Sequence, residues 1–185
     1  MTQPSPNFLV FIDVETTGLD PDEGDLLELA TVVTNQNFDV LYSGERVFEY
    51  QINEDEGYEI DPVVLEMHEK SGLWDDCELS TFQPAQTQHD LIDDLETLGI
   101  VVGTQPMVGN TIHFDRAWLK VHMPDLEAFF HYRNIDISTM TQFAERYLPD
   151  LYEGRPKDRK IHRALPDVFD SIANLKYYQQ RLRNV

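Results

Sequence analysis

The chain has 185 residues, of which 41% are hydrophobic and 26% are charged, as in one soluble globular domain. Its single cysteine, Cys77, excludes a disulfide within the chain and suits a reducing cytosol. No apolar stretch approaches the length of a membrane span. We therefore expect a cytoplasmic protein with a flexible N-terminal tail at residues 1–7 and a single domain at 8–185.

The net charge is −20, from 34 acidic and 14 basic residues. A protein that holds a long nucleic acid usually needs a row of Lys and Arg along the polymer. The charge therefore favours a substrate with one to a few phosphates. The one concentrated basic segment is RPKDRKIHR, residues 155–163, which is either an exposed loop or a phosphate-holding element.

The first part of the chain predicts three strands in a meander. The apolar run at 8–13 is typical of a buried central strand, and the segments at 25–34 and 40–50 predict two more. Residues 35–39 supply the turn between the last two.

Two helices are predicted next. Asp61 can cap a helix at 62–70, with a proline in its first turn. The leucine spacing predicts a second helix over 84–98, which Gly99 ends.

Strands and helices then alternate to the end of the chain. A strand at 106–110 leads to a helix that Thr111 can cap. A strand at 135–139 enters a helix at 139–147, and the last helix starts near Ala164. This order predicts an α/β fold, with a mixed central sheet flanked by helices.

Five residues at four places form one candidate catalytic site: Asp13, Glu15, Asp115, His162 and Asp167. Asp13 and Glu15 face the same side of a strand because one residue separates them. Asp115 and Asp167 lie at the starts of helices. Each feature alone has an ordinary explanation, such as a chance Asp-x-Glu pair or a helix-capping acid, but the five together in this order point to a nuclease.

Four converging carboxylates would repel one another unless cations lay between them. Hard divalent ions such as Mg²⁺ or Mn²⁺ prefer oxygen ligands, and two such ions serve in-line phosphodiester cleavage. His162, on a loop, can deprotonate the attacking water, so that a nucleoside 5′-monophosphate leaves. His113 is a weaker candidate for this base.

The order and spacing of these residues resemble the histidine branch of the DEDD 3′→5′ exonuclease superfamily. HYRNIDIST at 131–139, MPDLEAFFHYR and SGL at 71–73 are similar to oligoribonucleases, and the resemblance runs from about Phe8 to Leu182. It implies a ribonuclease-H-like fold, two divalent metal ions, degradation of RNA of two to a few nucleotides, and a homodimer.

The resemblance also implies a set of substrate-binding residues: Leu19, His68, Thr111, Tyr132, Arg133 and Ser138. Thr111, Arg133 and Ser138 would hold a terminal 5′-phosphate, as a guanidinium and two hydroxyls suit that group. Leu19 would wedge against a base in a pocket that His68 lines, and Tyr132 would reach in from the other subunit. The plain alternatives are a surface ion pair for Arg133 and helix capping for the two hydroxyls.

Three positions depart from the oligoribonuclease pattern. Thr16 stands where a methionine is usual, Val63 where a tryptophan stacks on a base, and Pro166 where an acid is usual. Loss of the stacking aromatic would loosen a preference for dinucleotides. We therefore expect a divergent member of the family.

Three other functions compete with this interpretation. DVETTG, residues 13–18, is more like a proofreading exonuclease that trims single-stranded DNA. A catalytically silent nucleotide-binding module would be favoured if a site residue were missing, and none is. An acidic structural protein does not account for the order of the five residues.

Overall fold

One mixed sheet lies at the centre of the part of the chain that a computed structural model describes, residues 8–52, 60–157, 159 and 161–182. In these residues the sheet has five strands in the order β3-β2-β1-β4-β5. The strands are β1 Leu9–Thr16, β2 Leu26–Thr34, β3 Val40–Val47, β4 Pro106–Gly109 and β5 His131–Asp136. β1 to β3 pair antiparallel, whereas β4 runs parallel to β1 and to β5.

Helices cover both faces of this sheet. Their bounds are α1 Pro62–Ser71, α2 Leu73–Leu79, α3 Pro84–Thr97, α4 His113–His122, α5 Pro124–Phe129, α6 Ile137–Tyr147, α7 Pro149–Glu153 and α8 Ala164–Leu182. The predicted cap of α1 is confirmed, because the Asp61 side chain accepts a hydrogen bond from the amide of Val63 at 2.8 Å. Of the helices in the described residues, α2, α5 and α7 were not predicted, since five to seven residues are too few for a periodic pattern.

The alternation of side chains along β1 assigns each residue to one of two cores. Val10, Ile12 and Val14 pack in a core with residues of α3, α4 and α5. Phe11 packs on the other face, in a core with residues of α6 and α8. Asp13 and Glu15 lie two and four residues after Phe11, so their side chains are on the same face of β1 and point toward α8.

Two predictions about element ends were wrong. Thr111 does not cap α4: Ile112 is at the cap position and makes no side-chain cap bond, and Thr111 has φ +52°. The strand predicted at 135–139 instead ends at Asp136, and α6 begins at Ile137. Asp136 stops the strand because its side chain accepts a hydrogen bond from the amide of Ser138, 2.9 Å away, and so caps α6.

The remaining strand predictions are confirmed with small shifts in their ends. β1 extends three residues beyond the predicted end at 13, and β3 stops at Val47 rather than at 50. The tail predicted at 1–7 lies outside the described residues. Within the described residues, no helix combines the length and the apolar character needed to cross a membrane.

Candidate active site

Three carboxylates meet between β1 and the start of α8. Asp13 and Glu15 project from β1, and Asp167 lies in the first turn of α8. One carboxylate oxygen from each of the three lies within 4.8 Å of those from the other two. α8 packs across β1 and β2, which brings its first turn over the two strand acids. The structure therefore brings together three of the four carboxylates predicted to hold metal.

Burial and mutual repulsion make these groups hard to ionise when no cation is bound. Burial, followed by the charges of Asp115 and Glu15, raises the pKa of Asp13 well above its ordinary value of 3.8. Burial, followed by the charge of Asp167, raises the pKa of Glu15 to about 8. A divalent cation would relieve both effects, and clustered carboxylate oxygens are the ligands that Mg²⁺ and Mn²⁺ prefer. The donor set thus fits a hard divalent ion.

Asp115 is held against the backbone of β1 between the two strand acids. It lies in the first turn of α4, is 4% exposed, and accepts a hydrogen bond on Oδ1 from the amide of Val14 at 3.0 Å. Burial raises the pKa of Asp115 to about 7, although the bond from Val14 opposes the rise. Asp115 is not one of the three clustered residues, but its charge raises the pKa of Asp13. It therefore lies near Asp13, with one of its oxygens bonded to the backbone of β1.

His162 lies in the loop that leads into α8, two residues before the helix begins. It is exposed, and its φ of +55° is uncommon for a residue other than glycine. Burial lowers the pKa of His68, and the proximity of His162 adds to the lowering. The predicted loop position of His162 is confirmed.

A buried ion pair ties down the chain directly after His162. The Nη2 of Arg163 donates to Oε1 of Glu28 at 2.8 Å, and its Nε donates to the same carboxylate at 3.0 Å. The amide of Ala164 donates to Oε2 of Glu28 at 2.8 Å, and Nη1 of Arg163 reaches Asp76, also at 2.8 Å. Glu28 is 0% exposed. These contacts fix the chain between His162 and the first turn of α8.

Glu28 was missed by reasoning from the sequence, although it is the cross-strand partner of Glu15. The sequence did contain one indication of its role: Glu28 is the only acid in the mainly apolar strand β2, and every residue of that strand is buried. A buried carboxylate needs a counter-charge. Its partner Arg163 lies 135 residues away, so that no local pattern connects the two.

A second polar cluster forms at the end of β4. The hydroxyls of Thr111 and Ser138 lie 3.0 Å apart, and the amide of Thr111 donates to the Ser138 hydroxyl at 2.9 Å. The same amide donates to Asp136 at 3.1 Å. The structure therefore brings together two of the three residues predicted to hold a phosphate. The third, Arg133, is exposed on β5, with its guanidinium 5.4 Å from the ring centre of Tyr132.

The other predicted substrate residues differ sharply in exposure. Leu19 and Tyr132 are 85% and 75% exposed, as expected of side chains that reach a ligand or a partner. His68 is 0% exposed, and its Nε2 lies 3.0 Å from the carbonyl oxygen of Thr16. Because a carbonyl only accepts, Nε2 carries the hydrogen. In this structure the ring supports the end of β1 instead of lining an open pocket.

The fold is that of known exonucleases. The zinc-bound exonuclease I of E. coli in complex with single-stranded DNA superposes with a TM-score of 0.70 at 15% identity, over 95% of this chain and 41% of that one. Exonuclease I from Methylocaldum szegediense gives 0.69 at 16% identity, over 95% and 41%. The chain thus spans about two fifths of these proteins, and the likeness confirms the predicted fold class.

Relatives identified by sequence have higher identity to this chain than these structures do, and they cover nearly all of it. The RNase T family model, described as exonuclease, matches residues 10–175. The chain is 40% identical over 185 residues to the oligoribonuclease of Nitrosomonas europaea, covering 100% of both chains. It is 39% identical over 179 residues to that of Bordetella pertussis, covering 97% of both. The chain therefore belongs to the oligoribonuclease family of exonucleases, as its motifs predicted.

Proposed function

We propose that this protein is a metal-dependent 3′→5′ exoribonuclease that degrades short oligoribonucleotides, down to dinucleotides, to nucleoside 5′-monophosphates. The observation that carries the proposal is the cluster of Asp13, Glu15 and Asp167, whose carboxylate oxygens lie within 4.8 Å of one another. Such a cluster suits phosphodiester hydrolysis. Membership of the oligoribonuclease family indicates that the substrate is short RNA. The domain at 8–185 carries the activity.

Four carboxylates would hold two divalent ions, Mg²⁺ or Mn²⁺: Asp13, Glu15, Asp115 and Asp167. When bound, such ions would lower the pKa of a water molecule and stabilise negative charge on the leaving oxygen. Support comes from the raised pKa of Asp13, Glu15 and Asp115, three buried acids that gain from a nearby cation.

His162 acts as the general base that takes the proton from the attacking water. A base must reach both the reacting centre and the solvent that finally receives the proton. His162 is exposed to solvent on the loop that leads into α8, the helix that carries Asp167, and this position suits the requirement. His113, the other candidate, begins α4, and its Nδ1 lies 4.0 Å from Asp136.

Thr111, Ser138 and Arg133 hold the 5′-phosphate of the substrate. The two hydroxyls lie 3.0 Å apart, and the amide of Thr111 donates to the Ser138 hydroxyl and so fixes its position. Arg133 adds a positive charge from the neighbouring strand. Leu19, almost fully exposed, packs against a base of the substrate. A clamp at a fixed distance from the metal site would favour short RNA, which also suits a net charge of −20.

The protein works as a homodimer in the cytoplasm. β5 is one of the two edge strands of the described sheet, and 75% of the surface of its residue Tyr132 is exposed. An exposed aromatic on an open sheet edge suits contact with a second copy of the chain. Tyr132 would then complete the substrate site of the partner.

The proposal is tested by comparing the wild-type enzyme with Asp167→Asn on a 5′-labelled RNA dinucleotide, with Mn²⁺ and with a chelator. Asp167→Asn should abolish cleavage while its circular dichroism spectrum stays unchanged. Asp93→Asn, the same change at an exposed residue of α3, is the matched control and should cleave normally. Normal turnover by Asp167→Asn, or wild-type cleavage in the chelator, would overturn the metal assignment.

A further inference from the structure

Strand β5 has two residues more than β4 over the stretch where the two strands pair. Pro106 of β4 pairs with His131, whereas the next residue of β4 pairs with Asn134. Tyr132 and Arg133 are the additional residues, and they form a bulge in an edge strand of the described sheet. Bulges are uncommon between parallel strands, and they change the direction of the side chains that they carry.

The bulge brings the side chains of Tyr132 and Arg133 together. Consecutive side chains of a regular strand point to opposite faces of the sheet. Here the guanidinium carbon of Arg133 lies 5.4 Å from the ring centre of Tyr132, and both side chains are exposed. The amide of Arg133 donates to Nδ1 of His131 at 3.1 Å, which closes the bulge on its N-terminal side. The two residues proposed to contact the substrate therefore lie side by side because the strand is irregular.

Arg116, in α4, bonds to the residues on both sides of the bulge. Its Nη2 donates to the carbonyl oxygen of His131 at 2.9 Å, and its Nη1 donates to Oδ1 of Asn134 at 2.6 Å. Its Nε donates to Glu127 of α5 at 2.7 Å, and the two side chains of this ion pair are 15% and 23% exposed. A planar guanidinium presents its donors in a fixed arrangement, so the bulge cannot shift without breaking a charge-assisted hydrogen bond.

The same turn of α4 carries one of the acids proposed to hold metal. Asp115 directly precedes Arg116 and accepts a hydrogen bond from the amide of Val14 in β1. α4 is thus bonded both to the strand that carries the clustered acids and to the strand that carries the bulge. These strands, β1 and β5, lie on either side of β4 in the sheet. The first turn of α4 therefore fixes the separation between the acids and the bulge.

We propose that Arg116 is a positioning residue for the cleavage of short RNA, because it fixes Tyr132 and Arg133 relative to the metal-binding acids. The inference rests on the proposed function, and it assigns part of the length preference to a residue that does not itself contact the substrate. A dinucleotide has few other contacts and depends on the position of these two side chains. A long RNA keeps further contacts and depends on that position less.

The test compares kcat/KM for a 5′-phosphorylated RNA dinucleotide and an RNA 20-mer. Arg116→Lys keeps the charge but not the planar fork, so it should lower the dinucleotide value about 10-fold and the 20-mer value less than about 3-fold. Asn134→Ala removes one acceptor beside the bulge and leaves α4 unchanged, so it should lower the dinucleotide value about 3-fold. Arg146→Lys makes the same change at an exposed arginine of α6 and should alter neither value.

A second comparison separates positioning from a general loss of structure. In a chain that already carries Tyr132→Ala and Arg133→Ala, Arg116→Lys should change the dinucleotide value less than about 2-fold, because the side chains that it positions are gone. Mn²⁺ should raise the melting temperature of Arg116→Lys as much as that of the wild type. That result shows that Asp115, the neighbouring acid, is undisturbed.

Other outcomes would overturn the inference and leave the proposed function standing. These are equal losses on the two RNAs with Arg116→Lys, an undiminished loss in the chain without Tyr132 and Arg133, a smaller effect of Mn²⁺ on the melting temperature, or no loss at all. A wild-type enzyme that cleaved neither RNA with Mn²⁺ would refute the proposed function itself, and the inference with it.

Discussion

Arg163 and Glu28 form a bidentate ion pair that joins the start of α8 to the middle of β2. The two side chains are 19% and 0% exposed, and their closest approach is 2.8 Å. The hydrogen bonds to Glu28, and then its charge, raise the already high pKa of the guanidinium further, so Arg163 stays charged. The pair fixes the residues that follow His162, between the candidate base and Asp167.

Arg163→Ala should destabilise the protein by about 3 kcal/mol, because it leaves the carboxylate of Glu28 buried without its counter-charge. The measurement is urea unfolding followed by circular dichroism. Arg159→Ala breaks an ion pair whose arginine is half exposed, and it should cost about 1 kcal/mol or less. Equal stability of the two variants would show that the Glu28 pair has no special role.

His162→Ala should lower kcat by about 100-fold or more with little change in KM, since a general base acts on the chemical step. His113→Ala is the matched control, because His113 is also an exposed histidine near the acids but begins a helix. Single-turnover kinetics on a labelled dinucleotide separates chemistry from product release. A larger effect from His113→Ala would reverse the two assignments.

Metal-free protein should lose stability as the pH rises from about 4 to 8. The folded-state pKa of Glu15 is about 8 and that of Asp115 is about 7, against ordinary values of 4.5 and 3.8. The folded state therefore binds more protons than the unfolded state in this window. The stabilisation is fully present below the ordinary pKa values and is lost as the pH passes the raised ones.

Mn²⁺ should raise the melting temperature more at about pH 8 than at about pH 5.5, because it competes with protons for the same carboxylates. Thermal unfolding with and without chelator measures both effects. Asp167→Asn should lose most of the increase caused by Mn²⁺, and Asp93→Asn should keep it. A melting temperature of the metal-free protein that rose between pH 5.5 and 8 would contradict the account of these acids.

Arg133→Ala should lower kcat/KM for a 5′-phosphorylated dinucleotide about 10-fold or more and have a smaller effect on a 20-mer. The reason is that a dinucleotide has few other contacts, whereas a long RNA keeps several. Arg181→Ala, an exposed arginine at the far end of α8, should change neither value. Equal losses on the two substrates with Arg133→Ala would remove the clamp.

The sequence predicted the sheet and the clustered acids of β1 and α8 well because both depend on local periodicity. An apolar run with acids two residues apart specifies which face of β1 carries Asp13 and Glu15. Asp167 falls in the first turn of α8 because the helix begins at Ala164, as predicted. The fold class then places these elements together.

Features that depend on distant partners could not be predicted. Glu28 looked like one strand residue among many until Arg163, 135 residues away, was placed against it. Thr111 resembled a helix cap in sequence, but its backbone turns at φ +52° toward Ser138. The burial of His68 depends on contacts with Thr16 and with the edge of the Trp74 ring.

Side-by-side cleavage of a 5′-labelled RNA dinucleotide and a labelled RNA 20-mer, with Mn²⁺, with Mg²⁺ and with chelator, tests the central claim most directly. We predict rapid, metal-dependent loss of the dinucleotide and slow trimming of the 20-mer. Equal or faster attack on the 20-mer would contradict a short-RNA exonuclease. A DNA 20-mer would then be the next substrate, because that result would favour a general single-stranded 3′→5′ exonuclease.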